Sequence, residues 1–410
     1  MQYPALERVS EGLESAEAEG ARATPFQTSS VLTIIAGHAV HDMFTAFLAP
    51  LLPLFIAGFS LTVTQAGALS LFLLLPATIQ PFIGRIADRR SLRPLVIVAP
   101  LVAGLSMSCL GLAPSYAALA FLLAVAGLNT AGLHAVAPAM TGRLSGEHLG
   151  RGMGLWMMAG ELGRTIGPLV IVSAVGLFTL HGTFWLIPIG VAASALLFAR
   201  LRAISDDPPA LPDEDIAWGR VLRQMAPVMI PLTGIMLVRG LMQAAITSYL
   251  PTFLTLEGES LWFAGASLSL LEAAGVAGAM LGGVMSDSLG RRRVLLASAL
   301  AAPVFLVLFL RTSGWLRFPL LVLIGLSLLS IAPVIMAVVQ ENFPEYRAMA
   351  NGMYMMLSFS SASVGVLIVG MMSDALGMRP AFFVSGLMML LAVPLIARLP
   401  RRGGTAPLPA

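Results

Sequence analysis

The chain has 410 residues, of which 57% are hydrophobic and 11% charged. A soluble domain carries about 25% charged residues, so the charge here is too sparse to clothe a soluble surface of this size. All 24 basic residues are arginine, the net charge is +3, and the one cysteine, Cys109, excludes an internal disulfide and argues against a metal cluster.

Residues 1–28 are mixed polar, with Glu7, Glu11, Glu14, Glu17 and Glu19, and lack the basic-then-apolar order of a signal peptide. They read as a cytoplasmic tail. Apolar stretches past the ~20 residues a membrane helix needs then follow. They lack the alternation of an outer-membrane barrel. Six spans are predicted at 29–57, 64–84, 94–113, 116–142, 152–180 and 183–201. Six more are predicted at 225–256, 261–285, 294–310, 316–341, 349–372 and 380–399. Between the two sets lies 202–224, the only long polar interior stretch, read as a cytoplasmic linker between bundles 29–201 and 225–399. Residues 400–410 form a second cytoplasmic tail.

Arginines crowd the even-numbered connections (Arg85, Arg89, Arg90, Arg93, Arg143, Arg151, Arg291, Arg292, Arg293). The odd-numbered ones hold only Arg311, Arg317 and Arg379 at their edges. The positive-inside rule then puts both termini in the cytoplasm. The basic balance thus reads as topology, with no nucleic-acid partner implied.

One loop signature occurs twice, half a chain apart. Gly84-Arg85-Ile86-Ala87-Asp88-Arg89-Arg90-Ser91-Leu92-Arg93 follows span 2, and Gly283-Val284-Met285-Ser286-Asp287-Ser288-Leu289-Gly290-Arg291-Arg292-Arg293 follows span 8. A second pair opens spans 5 and 11, at Gly154-Leu155-Trp156-Met157-Met158 and Gly352-Met353-Tyr354-Met355-Met356. Two six-helix bundles in a parallel pseudo-repeat, with a path between them, explain both pairs. The fold class is therefore all-α and membrane-embedded, with twelve transmembrane helices.

On these residues the chain resembles the major facilitator superfamily. The first loop copy departs from the family pattern G-x-x-x-D-R-x-G-R-R at Ser91 and Leu92, and the second at Ser288. Gly154, Gly163, Gly167 and Pro168 sit at the spacing of the superfamily's antiporter motif, with Ile171 and Val172 in place of its final glycines. The membrane arginine that accompanies this motif in span 4 is absent, Leu122 or Leu123 standing there. Within the superfamily, His38, Asp42-Met43, Phe59-Ser60-Leu61-Thr62, Gln65, Gly67, Gln80-Pro81 and His134 resemble the fosmidomycin-resistance branch of drug efflux proteins, although a His-Pro-Glu run expected in span 4 is missing. The resemblance implies alternating access, a multi-pass protein of the plasma (inner) membrane, a monomer, a small-molecule substrate and no cofactor.

Ionisable groups inside a bilayer are costly, so each is a candidate. His38 and Asp42 are at i,i+4 in span 1, with His41 on the same face. Imidazole titrates near pH 6.5, about where a proton can be exchanged. The alternative is a hydrogen-bonded pair that only fixes packing. His134 lies about 13 Å inside Arg143 and, by the resemblance, faces span 1. Glu161 and Arg164 at i,i+3 can neutralise one another or leave one member to a substrate or proton. Arg239, with Gln243 one turn on, is expected to anchor an anion or to be the counter-ion of Asp42 or Glu272. Gly84, Asp88, Arg89, Gly283, Asp287, Arg291 and Arg292 are expected to gate the cytoplasmic side, and Gly154, Gly163, Gly167 and Pro168 to form a hinge. Met157, Met158, Met236, Met242, Met353, Met355 and Met356 either line an adaptable cavity or pack and face lipid.

No phosphate loop, zinc spacing or activated nucleophile appears, so an enzyme or ATP-driven pump is not expected. The expected activity is proton-coupled export (antiport) of a small organic compound. Uptake or facilitated diffusion of an organic anion, and a lipid flippase or non-transporting sensor, stay open as alternatives.

Overall fold

A computed structural model describes residues 25–87, 89–204, 218–343 and 347–399. Asp88, most of both tails and the middle of the linker lie outside the described residues. Twelve helices long and apolar enough to span a bilayer run Thr28–Phe59, Val63–Ala87, Arg93–Leu112, Tyr116–Leu144, Gly146–Phe178, His181–Leu201, Met225–Ser248, Leu261–Leu289, Arg291–Leu310, Gly314–Asn342, Gly352–Leu376 and Met378–Ala397, numbered spans 1 to 12. The helix of span 7 starts at Trp218, so the last residues of the predicted linker are helical.

Pairings repeat between the halves. Spans 1–5, 2–4 and 3–6 pack together, and so do spans 7–11, 8–10 and 9–12. The two halves meet where span 2 lies against span 11 and span 5 against span 8. Phe121, Leu177, Leu281, Val284 and Trp315 stay exposed and form part of an apolar outer belt. Such a belt is stable in hydrocarbon, where only backbone that bonds to itself can cross.

Five spans are broken a few residues ahead of a proline, span 12 among them at Leu390–Leu391 ahead of Pro394. Span 1 divides at Ala46–Phe47 ahead of Pro50, and span 2 turns 3₁₀ over Leu75–Ile79 ahead of Pro81. Span 7 contains a π-turn, Ala244–Ser248, ahead of Pro251, and span 10 divides at Ser330 ahead of Pro333. A proline lacks the N–H that would bond the carbonyl four residues earlier, and its ring crowds that carbonyl. The helix loosens one turn upstream as a result.

Among the described residues the halves are closed at one end only. At the outer end, away from the arginine-rich loops, Leu48–Phe59 of span 1 touches Leu250–Leu256, the short helix that continues span 7. The inner parts of these two spans, Thr28–Thr45 and Trp218–Gln243, pack chiefly within their own bundles. The protein is thus open toward the face that carries the arginine-rich loops.

Candidate functional site

Span 5 is positioned on span 1 by missing side chains. A Cβ on Gly163 would strike the Ala39 carbonyl and lie 2.9 Å from the Met43 nitrogen, and one on Gly167 would meet the Met43 carbonyl. The helix runs unbroken through Pro168. The expected hinge residues Gly163 and Gly167 therefore sit in close packing, while Gly154 faces open space. Gly160, which the sequence reading missed, has the same use: a Cβ there would lie 2.8 Å from the His38 ring and 3.0 Å from Asp42 Oδ2.

That approach assembles a cluster around Asp42, which is 3% exposed. His41 Nδ1 lies 2.9 Å from Oδ1, and Arg164 donates to Oδ2 over 3.0 Å. His38 Nε2 is 3.4 Å from Oδ2, and His134 Nε2, from span 4, is 3.7 Å from Oδ1. Arg164 also pairs with Glu161 on its own helix. Its side chain is 41% exposed, so the guanidinium that reaches Asp42 also opens into the space between the bundles. Across that space Glu272, on span 8, lies within electrostatic range of Arg164 and Glu161.

Backbone carbonyls fix the two imidazoles. His38 Nδ1 lies 3.1 Å from the Trp156 carbonyl, and its ring stacks on that indole at 3.6 Å. His134 Nδ1 lies 3.1 Å from the Thr130 carbonyl. A carbonyl only accepts, so each Nδ1 carries the hydrogen, by the logic that assigns tautomers from partners. Both Nε2 atoms of the neutral rings then present lone pairs, and they stand 3.3 Å apart beside a carboxylate. One cation between them relieves this. His38, Asp42 and His134 offer three converging donors that a metal ion could use.

The remaining candidates fall elsewhere. Arg239 bonds weakly to the Leu328 carbonyl, at 3.4 Å, and senses Tyr354. The counter-ion at Asp42 is Arg164; of the alternatives open for Arg239, a pairing with Asp42 is not the one seen. Gln243 is half-buried just before the π-turn of span 7. Arg291 binds Asp287 at 2.6 Å and Glu341 at 2.9 Å, which joins spans 8, 9 and 10 of one bundle. A Cβ on Gly84 or Gly283 would meet open space. Arg89 follows the inner end of span 2, and Arg292 lies in the first turn of span 9. Hollows beside the outer end of span 5 are lined by apolar residues and Ser173, with no ionisable side chain.

A profile of the Major Facilitator Superfamily matches residues 34–282 and 272–409. The chain belongs to the major facilitator superfamily. It is 24% identical over 367 residues to the Fosmidomycin resistance protein of Escherichia coli (strain K12), covering 87% of this chain and 89% of that one. It is also 24% identical over 385 residues to the uncharacterized MFS-type transporter YfnC of Bacillus subtilis (strain 168), covering 90% and 93%. Among solved structures, a bacterial homolog of the human lysosomal transporter Spinster, inward-facing and occupied, superposes with a TM-score of 0.77 at 16% identity, covering 91% and 96%. A D-xylose-proton symporter superposes at 0.73 and 16%, covering 92% and 98%. The protein is thus a multi-pass member of a transporter superfamily whose members move small molecules across a bilayer.

Proposed function

We propose that this protein is a proton-coupled secondary transporter that exports a small organic compound by alternating access. The observation that carries the reading is the pair of Nε2 lone pairs of His38 and His134, 3.3 Å apart beside Asp42. That arrangement takes up one proton and releases it when the bundles rock. A proton there weakens the hold of Asp42 on Arg164. The guanidinium is then free for Glu272 on the other bundle or for an anionic group of the cargo, so proton binding and bundle movement share one residue.

Export is supported by the likeness to the E. coli Fosmidomycin resistance protein. Arg239, bonded weakly to the Leu328 carbonyl and near Tyr354, supports an anionic group on the cargo. The arginine-rich loops support a cytoplasmic position for the open face of an inner-membrane protein, and we take the working unit to be a monomer.

The test is counterflow in proteoliposomes against anionic, neutral and cationic compounds, with internal pH recorded. Cargo movement should bring proton movement in the opposite direction. Cargo flux with constant proton flux would leave facilitated diffusion as the activity.

A further inference from the structure

Asp374 lies in the last turn of span 11, on the face opposite the arginine-rich loops. Its carboxylate reaches the other bundle and takes the start of span 2. Oδ1 accepts from the Val63 nitrogen at 2.7 Å, and Oδ2 accepts from the Thr64 nitrogen at 2.9 Å and its hydroxyl at 2.5 Å. Neighbouring backbone groups are already satisfied: Thr62 Oγ1 accepts from the Gln65 nitrogen, and the Gln65 side chain accepts from the Thr62 nitrogen. Asp374 thus completes the first turn of span 2, where the helix dipole also favours an anion.

The same junction is shaped to close tightly. The fully buried Tyr249 of span 7 donates to the Val366 carbonyl of span 11 at 2.9 Å. A Cβ on Gly67 would overlap the Tyr249 hydroxyl, and one on Gly370 would lie 2.8 Å from that hydroxyl and 2.9 Å from Thr64 Cα. Span 11 is anchored just beyond Asp374. Arg379 donates to the Leu310 carbonyl and, at 2.5 Å, to Glu257, which also binds the buried Arg317. Asp374 is therefore mounted on a braced corner of one bundle while it grips the other.

We infer that Asp374 is the latch of the outer gate: its hydrogen bonds to Val63 and Thr64 hold the outer face shut while the inner face is open. The bonds lie at an exposed edge, so water can replace Asp374 on both nitrogens when the bundles part. The latch adds to the closed state without making it permanent. It lies far along the chain from the Asp42 cluster and does not depend on which ion or cargo is moved.

The experiment places spin labels on Ala117→Cys and Ser313→Cys, exposed positions at the outer ends of the two bundles, in a Cys109→Ser background. Distances are measured with and without Asp374→Ala. Loss of the three bonds, with water replacing Asp374 on both nitrogens, should have a net effect comparable to one charge-assisted bond and raise the ratio of outward-open to closed molecules on the order of tenfold, seen as a new longer-distance population. Asp374→Asn, which keeps one acceptor oxygen, should give a smaller shift, and Thr64→Val a smaller one still. Wild-type distances in a folded Asp374→Ala protein would overturn the latch. Should that variant fail to fold, unchanged distances in both Asp374→Asn and Thr64→Val would do the same.

Discussion

Arg164 of span 5 stands 3.0 Å from Asp42 of span 1 and simultaneously pairs with Glu161. A single guanidinium thus serves two carboxylates, of which one is almost fully buried and the other borders open space. Removing either charge redistributes the hold of Arg164 within one bundle before it affects the other.

Asp42→Asn should therefore separate coupling from binding. The amide can keep a hydrogen bond to Arg164 but cannot share a proton with His38 and His134. We expect pH-driven transport to fall at least tenfold while cargo affinity changes less than threefold, in the range of one altered hydrogen bond. An unchanged proton-to-cargo ratio would remove Asp42 from coupling.

The two imidazoles should act as a unit. His38→Gln and His134→Gln each remove one of the facing lone pairs, and the double variant removes both. If one proton is shared, each single variant should flatten the pH dependence of transport, and the double variant should add little. Additive losses in the double variant would mean that the two rings work separately.

Gly67→Ala should hold the outer face ajar, because its Cβ would overlap the Tyr249 hydroxyl. Tyr249→Phe removes that hydroxyl and should partly restore closure in the double variant, a coupling of about 1 kcal/mol in a double-mutant cycle. Accessibility of a cysteine at Ser248 to an impermeant thiol reagent reports closure. Full additivity would show that the overlap is relieved by some other movement.

Glu257 joins three outer loops of the second bundle through Arg317 and Arg379. Partial burial acts to raise its carboxyl, but hydrogen bonds from Arg379 and Arg317 outweigh this and lower its pKa from the ordinary value. A lowered folded pKa contributes stability that is complete above the unfolded value, near 4.3, and is lost as pH falls through the folded value. Glu257→Gln should cost about 2 kcal/mol at pH 7 and should flatten the fall in thermal stability below about pH 4.5. Parallel stability curves for the two proteins across that range would exclude this role.

The twelve spans and their duplication were legible because sparse charge and long apolar runs leave few other arrangements. His38, Asp42, His134, Glu161 and Arg164 stood out because each is an ionisable group in an apolar stretch, and the fold brings these five together. The partner of Asp42 was left open, with Arg239 as one candidate. Depth along a helix places Arg239 and Arg164 alike, and only packing tells which side of the bundle each faces. Trp156 and Thr130 were missed because they act through backbone carbonyls, which every residue possesses. Asp374 was missed because its partners are the nitrogens of a helix end, and the sequence there shows only an acidic residue near a loop.

The breaks ahead of Pro50, Pro81, Pro251 and Pro333 have a chemical consequence of their own. In each, the carbonyl four residues before the proline cannot receive the usual helical bond, at Ala46, Ala77, Thr247 and Leu329. Each break also sets the end of one half-helix against the start of the next, with partial charges of opposite sign. Membrane segments can thus present polar character drawn from the main chain alone. A chain with few ionisable side chains gains hydrogen-bonding groups in this way without adding formal charge to the bilayer.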